Sequence, residues 1–314
     1  MQAGSGSGGR LLVIGGNGFV GREVCRFAVQ NGFTVTSLSR RGECPLPGDK
    51  WLSQVQWKAG NALDPQTVST SVANADAVVH CIGLLFDARL LIRDDHTIFS
   101  QSAHPISTIS CGRLGQILTP RTTTCLLPLS CLAALLPQIT RKTAILVIEA
   151  LKKRAQLSEY TGELPTPMAF VSAAEAGWPE VAYGDKVEEI APDWLKEREP
   201  HLIRSYLRYL VAKRAVEAEL ERSTDVVRPS AGASLGSHIA RPSFIWNYEK
   251  LDVLPLVPIF NIASSLGVPF VDKTVRVEDV GKAIVSGLLD KKVRGVQRYN
   301  KIEALSASIP IAKE

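Results

Sequence analysis

LLVIGGNGFVGREVCRFAVQNG, residues 11–32, carries a strand, a glycine turn and a helix in one line. The apolar run 11–14 stops at a glycine cluster. Residues 20–30 then place Val20, Val24, Phe27 and Ala28 at helical spacing, and Asn31 with Gly32 supplies a left-handed stop. Between the two lies G-x-x-G-x-x-G. Glycine permits the tight turn, lets backbone N–H groups approach a pyrophosphate, and leaves the helix N-terminus open to an anion. A glycine cluster alone can be a plain turn, but the flanking strand and helix are what a dinucleotide site requires. Gly15, Asn17, Gly18, Phe19, Val20 and Gly21 are therefore predicted to line a nucleotide turn.

The same rhythm continues outward. Residues 34–38 and 55–57 read as strands, Asp64 and Pro65 open a helix as cap and first-turn proline, and residues 77–82 form a fourth strand ending at Gly83. Strands alternating with helices predict an α/β fold with a doubly wound parallel sheet (a Rossmann fold) and a small C-terminal substrate lobe. Further on, helices are predicted at 140–155 and 207–222, and strands at 168–172 and from Asp225. Residues 275–289 read as a short strand leading into a helix.

Two stretches break the pattern. Residues 88–138 have no sustained period, which is unusual for a loop inside a compact domain. Arg-Pro-Ser occurs at 228–230 and again at 241–243, so that skipping 228–240 would join Val227 directly to RPSFIW. Both segments are read as insertions or as non-coding sequence carried into the chain; spliced transcripts containing them would refute the second reading. The division expected is a flexible lead-in at 1–10, a dinucleotide domain at 11–242, an apolar lobe at 243–274, a return to the first domain at 275–300, and a tail at 301–314.

Composition excludes several classes. Hydrophobic residues make up 45% and charged residues 21% of the 314, which is neither disordered nor coiled-coil usage. The net charge of +5 is spread without a basic run, so nucleic acid is not expected as a partner. Cys25, Cys44, Cys81, Cys111, Cys125 and Cys131 form no C-x-x-C and no zinc spacing with histidine, so they read as reduced, and no metal site is expected. Residues 253–271 carry no charge but contain Pro255, Pro258 and Pro269, and they read as buried or surface-associated rather than as a transmembrane helix.

Chemistry is concentrated at a few positions. After the second strand come Ser39, Arg40 and Arg41, with no carboxylate before Glu43. An acidic residue there suits the ribose of NAD, whereas arginine accommodates a 2′-phosphate, so NADP is favoured and NAD is the alternative. The competing reading is a solvated pair of loop charges. Tyr209 and Lys213 form a Y-x-x-x-K on one helix face, where an ammonium can lower a phenol's pKa for proton transfer at a carbonyl or alcohol oxygen. Ser172 ends the fifth strand, where sites in open α/β sheets lie. Asn61 and Ala62 follow the third strand, where an adenine contact is expected. Cys81 and Gly83 end the fourth, where backbone can approach a dinucleotide. His80, inside that strand, reads as core.

GGNGFVG, the HCIG strand end, Ser172, YLVAK, RPSFI and VRVEDVGKAI together resemble the short-chain dehydrogenase/reductase superfamily in its atypical or extended branch, over residues 11–87, 139–227 and 241–300. More narrowly, GGNGFVGREVC, TVTSLSRRG, HCIGLL, FVSA and KRAVEAELE resemble a fungal mitochondrial coenzyme Q (ubiquinone) biosynthesis group, which is related to the nucleotide-binding accessory subunit of respiratory complex I. The resemblance implies bound NAD(P), a matrix location at the mitochondrial inner membrane, and either a membrane-associated quinone-biosynthesis complex or complex I as partner. It implies Tyr209 as acid/base, Lys213 as the group that tunes it and holds the nicotinamide ribose, and Ser172 as orienter of a hydrophobic small-molecule substrate. A non-catalytic assembly subunit is the alternative. Three departures stand out: Ser172 and Tyr209 are 37 residues apart, Asn61 replaces an aspartate, and no basic presequence is evident.

Overall fold

The computed structural model of the chain describes residues 9–45, 48–83, 129–156, 168–177, 200–224, 237–248, 254–267, 271–290 and 292–308. Its centre is a seven-stranded sheet. The strands are β1 (Arg10–Ile14), β2 (Thr34–Ser39), β3 (Val55–Ala59), β4 (Ala77–His80), β5 (Met168–Val171), β6 (Ser237–Ala240) and, last in the chain, β9 (Gly295–Gln297). They lie in the order β3-β2-β1-β4-β5-β6-β9, and every neighbouring pair is parallel. The order reverses between β1 and β4, the switch point at which open α/β sheets bind ligands beyond their strands' C-terminal ends.

Burial on both faces explains the uninterrupted apolar runs. In β1, Leu11 and Val13 face a core with α1 (Phe19–Gln30) and α6 (Val277–Leu289), while Leu12 and Ile14 face α2 (Pro65–Ala73) and α3 (Leu129–Gln156). On the second face α3 also packs along α4 (Pro200–Thr224), and on the first α7 (Tyr299–Ser308) packs on α6. Local signals set the ends: the Asp64 carboxylate accepts from the N–H groups of Gln66 and Thr67, with Pro65 in the first turn. The parallel doubly wound sheet predicted from the alternation is thus the fold observed. A small two-stranded sheet, β7 (Ile245–Trp246) with β8 (Val275–Arg276), carries α5 (Leu256–Ser265) between its strands.

Three elements differ from their sequence expectation. Helix α3 begins at Leu129, inside the stretch read as irregular, and continues through Pro137 to the Thr140 start inferred from sequence. Residues 88–138 carry no sustained period, so no local pattern announces this first part of the helix, and Pro137 within it lacks the donor that a helix interior uses. Residues 301–308, expected as tail, belong to α7 and bury Ile302. The third difference is β6. It is formed by Ser237–Ala240, within the segment read as insertion, and runs directly into the second Arg-Pro-Ser. The strand expected from Asp225 lies outside the described residues, as do residues 84–128, 178–199 and 228–236 and the lead-in 1–8.

Using this copy of the strand places His238 in the core. Among the described residues neither ring nitrogen has a hydrogen-bond partner, and the ring lies where a Cβ on Gly287 would sit, 1.8 Å from Nδ1. Burial holds the imidazole down to about 4. The folded chain therefore resists protonation that the unfolded chain accepts below its usual 6.5, so stability present above that pH is lost as pH falls toward 4. His238→Leu is expected to raise the urea midpoint by an increment worth about 1–2 kcal/mol and to shrink the acid-induced loss. Unchanged midpoints at pH 7 and pH 5 would show the imidazole to be solvated.

Candidate functional site

The nucleotide turn is built by close approach. Gly15 has φ +87°, and its N–H donates to Leu38 O. Gly18 N donates back to Gly15 O at 2.9 Å. A Cβ on Gly21 would stand 2.2 Å from Gly15 O and 2.8 Å from Gly16 Cα, so only glycine lets α1 start this close to β1. The N-cap, Gly18, offers no side-chain acceptor, and the first turn holds no acidic residue. That leaves an uncapped helix N-terminus at the sheet's switch point, a cradle suited to a pyrophosphate. Phe19 and Val20 open the helix, with Val20 packed into the core.

Asn17 ties this turn to the loop after β2. Its amide donates to Glu43 O, and its carbonyl oxygen accepts from Ser37 Oγ at 3.2 Å. In that loop Ser39 Oγ accepts from Gly42 N at 3.1 Å, which presents Arg40 and Arg41 to solvent between them. Asn61 is exposed after β3, but its side-chain oxygen is already used by Leu63 N at 3.0 Å, and Ala62 faces the core. Cys81 N donates to Ile14 O at 2.9 Å, fixing the end of β4 against β1. Burial pushes the Cys81 thiol up to about 12, against the pull of the Lys213 ammonium, so it is inert as a nucleophile.

Tyr209, Lys213 and the β4 end converge. A Cβ on Gly83 would lie 2.8 Å from Tyr209 Oη and 3.1 Å from Lys213 Nζ. Both side chains are buried, and Lys213 Nζ donates to Val171 O, the carbonyl next to Ser172. The ammonium also sits 4.7 Å from the Phe170 ring centroid and 5.3 Å from that of Tyr209. Burial lowers Lys213 to about 7, opposed by Cys81 and Glu217. Ser172 N donates to Ala240 O at 2.8 Å, while its buried Oγ has no hydrogen-bond partner among the described residues. A buried hydroxyl without a partner, at a strand's C-terminal end, is a group waiting for one.

The surroundings contain residues that sequence reasoning missed. Glu217, one turn beyond Lys213, receives Arg241 Nε at 2.9 Å and Arg241 Nη2 on its other oxygen. The i, i+4 spacing of Lys213 and Glu217 and the repeated Arg-Pro-Ser were the available signals. Glu175, in the short 3₁₀ turn Ala174–Gly177, accepts from Tyr206, whose ring lies 6.4 Å from that of Tyr209. Burial, with Asp272 nearby, raises the Glu175 carboxyl to about 7. That pairing is non-local and left no sequence trace. His80 is core as expected: Thr143 Oγ1 donates to Ile139 O at 2.8 Å, so His80 Nε2 donates to it at 2.9 Å and Nδ1 lacks a partner. Among the described residues no group of His, Cys, Asp and Glu is arranged to hold a metal ion.

Parts of the chain are similar to known proteins. A stretch of 82 residues, 25% of this chain, is 39% identical to MIOREX complex component 2 of Saccharomyces cerevisiae and spans 30% of that protein. Another 54 residues, 17% of the chain, are 50% identical to an uncharacterized chloroplastic protein of Arabidopsis thaliana, over 18% of its length. The chain thus aligns with less than a third of either relative. Among solved structures, ElxO with NADP bound superposes with a TM-score of 0.51 at 13% identity, covering 92% of this chain and 96% of that one, which is a likeness of fold. Residues 11–103, which hold the glycine turn, the Arg40/Arg41 loop and the β4 end, match the NAD dependent epimerase/dehydratase family, within a Rossmann-like fold that continues through β9.

Proposed function

We propose that this protein binds NADP(H) in preference to NAD(H) and is an oxidoreductase of the short-chain dehydrogenase/reductase type. The observation that carries the proposal is the bare Gly83 backbone facing Tyr209 Oη and Lys213 Nζ at the switch point. When bound, the nicotinamide ring supplies or accepts the hydride. Tyr209 exchanges a proton at its phenol oxygen with the substrate's carbonyl or hydroxyl oxygen. Lys213, whose nitrogen titrates near neutrality, biases that phenol toward release when charged. Ser172 Oγ orients the substrate oxygen, and Arg40 with Arg41 pairs the 2′-phosphate.

Quinone biosynthesis, a hydrophobic substrate and a mitochondrial site at the inner membrane complete the proposal by resemblance. A yeast relative named as a complex component supports a place in a complex, and a plant relative named as chloroplastic supports an organellar location. A second reading has its own observation: Lys213 Nζ is spent on Val171 O inside the core, as a scaffold lysine would be. In that case the chain is a nucleotide-binding assembly subunit of a quinone-biosynthesis complex or of complex I.

Titration with NADPH and NADH, followed by nucleotide fluorescence, tests the binding claim. NADPH should bind about tenfold or more tightly, and Arg40→Ala with Arg41→Ala should erase the difference. Equal affinities would refute the phosphate assignment. Tyr209→Phe should abolish quinone output in cells while keeping fold and NADPH binding; an unaffected output would favour the assembly subunit.

A further inference from the structure

Helix α5 stands apart from the economy of the rest of the fold. None of its residues is buried, and no residue from Leu254 to Gly267 is charged. Ile259, Ile262 and Leu266 are 60%, 61% and 77% exposed, and their spacing puts them on one helix face. Its polar groups are largely engaged within the protein: Asn261 Oδ1 accepts from Thr274 N at 2.9 Å and from Thr274 Oγ1 at 3.0 Å, and the exposed Ser265 Oγ donates to Asn261 O of its own helix. Phe260 stacks on Phe244 at 5.3 Å and fixes the helix to the start of β7. The outward stripe is therefore held rigidly in water, at the cost that exposed aliphatic side chains carry.

Two residues beyond Phe244 and Thr274, which hold α5, the small sheet carries a cluster of different chemistry. Trp246 and Tyr248 meet edge to face at 5.2 Å, Tyr248 is 62% exposed, and the Arg276 guanidinium lies 5.1 Å from its ring centroid. Amphipathic aromatic rings with an arginine beside them are the side chains that settle at the headgroup level of a bilayer.

We propose that α5 is a membrane-docking tip, which inserts Ile259, Ile262 and Leu266 into the acyl boundary of a lipid surface with Trp246, Tyr248 and Arg276 at headgroup level. Two features on the helix select lipid over protein. A ten-residue helix is about 15 Å long, too small a patch for the roughly 1,000 Å² that a stable interface between copies requires. Its stripe also offers no directional donor or acceptor with which a protein partner could be specified. A bilayer needs neither. Among the described residues two nearby cations are already matched, Arg276 by Glu278 at 3.4 Å and Lys273 by Glu303 at 2.7 Å, so insertion rather than charge is assigned the affinity. Binding is accordingly reversible, with a partition constant near that of a single acyl chain, about 10⁴ M⁻¹.

The test is flotation of the full chain with phosphatidylcholine vesicles, at low and high salt, with NADPH binding measured on the same preparations. The native chain should float with little salt dependence. The variant Ile259→Ser/Ile262→Ser/Leu266→Ser should lose at least about tenfold in partition while binding NADPH normally. Ser265→Leu, exposed at the edge of that stripe, should float more strongly. A native chain that stays with the buffer, or a triple variant that floats as well as the native chain, overturns the proposal. So does light scattering that shows a dimer which the triple variant breaks. Because flotation and NADPH binding are read separately, failure of docking is distinct from failure of the oxidoreductase reading.

Discussion

Replacing Lys213 with methionine should remove a rise in stability that the native chain shows between pH 7 and pH 9. Lys213 is 1% exposed and titrates at about 7 in the fold against a usual 10.5. Between those values the unfolded chain holds a proton that the folded chain has released. Stability therefore increases with pH across the window, and it is lowest at pH 7 and below, where the fold must bury an ammonium. The displacement corresponds to something on the order of 4 kcal/mol, discounted at pH 9 because the unfolded lysine is still charged. Methionine fills the same channel with no charge and leaves only Val171 O without its donor, a cost of about 1 kcal/mol. The variant should be more stable than the native chain at pH 7, and the difference should narrow steadily toward pH 9. Above that pH the Cys81 thiol, at about 12 in the fold, introduces an opposite slope, so urea midpoints belong at pH 7, 8 and 9. Parallel midpoints for the two proteins would mean that the ammonium is solvated, and the tuning assigned to it would fail.

Gly21→Val should abolish dinucleotide binding and destabilise the fold by about 2–3 kcal/mol. The atoms that a Cβ would meet, Gly15 O, Gly16 Cα and Gly15 C, are all backbone within 2.9 Å and cannot swing aside. Relief requires α1 to move off β1, which widens the turn and carries the helix N-terminus away from the anion. Gly18→Ala is the contrast: its Cβ would be 3.1 Å from Gly15 O at an ordinary φ of −78°, so a shift of tenths of an ångström suffices. Thermal unfolding should separate the two variants clearly, and NADPH titration should fall below detection for Gly21→Val. Retention of native affinity by that variant would place the nucleotide elsewhere.

What could be read in advance followed from interactions close in sequence. The β1 turn, the Asp64 cap and the buried runs of β1 and β4 are each specified by a few consecutive residues, and each is found where its pattern lies. The sixth strand could not be placed that way. Val226 and Val227 before one Arg-Pro-Ser, and Ile239 and Ala240 before the other, are equivalent to any local rule, and only pairing with β5 and β9 identifies the second as a strand. The candidate site divides similarly. Tyr209 and Lys213 are visible because a helix brings i and i+4 together. Glu175 and Tyr206, or Arg241 and Glu217, meet only when distant elements pack.

The sheet is also assembled from two populations of contacts. Strands β1, β2, β3 and β4 pair within residues 10–80, whereas β4 reaches β5 by matching Val78 with Met168, and β6 reaches β9 by matching Ile239 with Val296. Loop closure over the longer spans is slower, and a chain made from its N-terminus presents the first population before the second exists. The half that holds the nucleotide turn can thus acquire its pairings while the half that holds Tyr209 is still being synthesised. During that interval the inner edge of β4 is open, and a bound dinucleotide would stabilise the early half before the acid/base helix arrives to close over it.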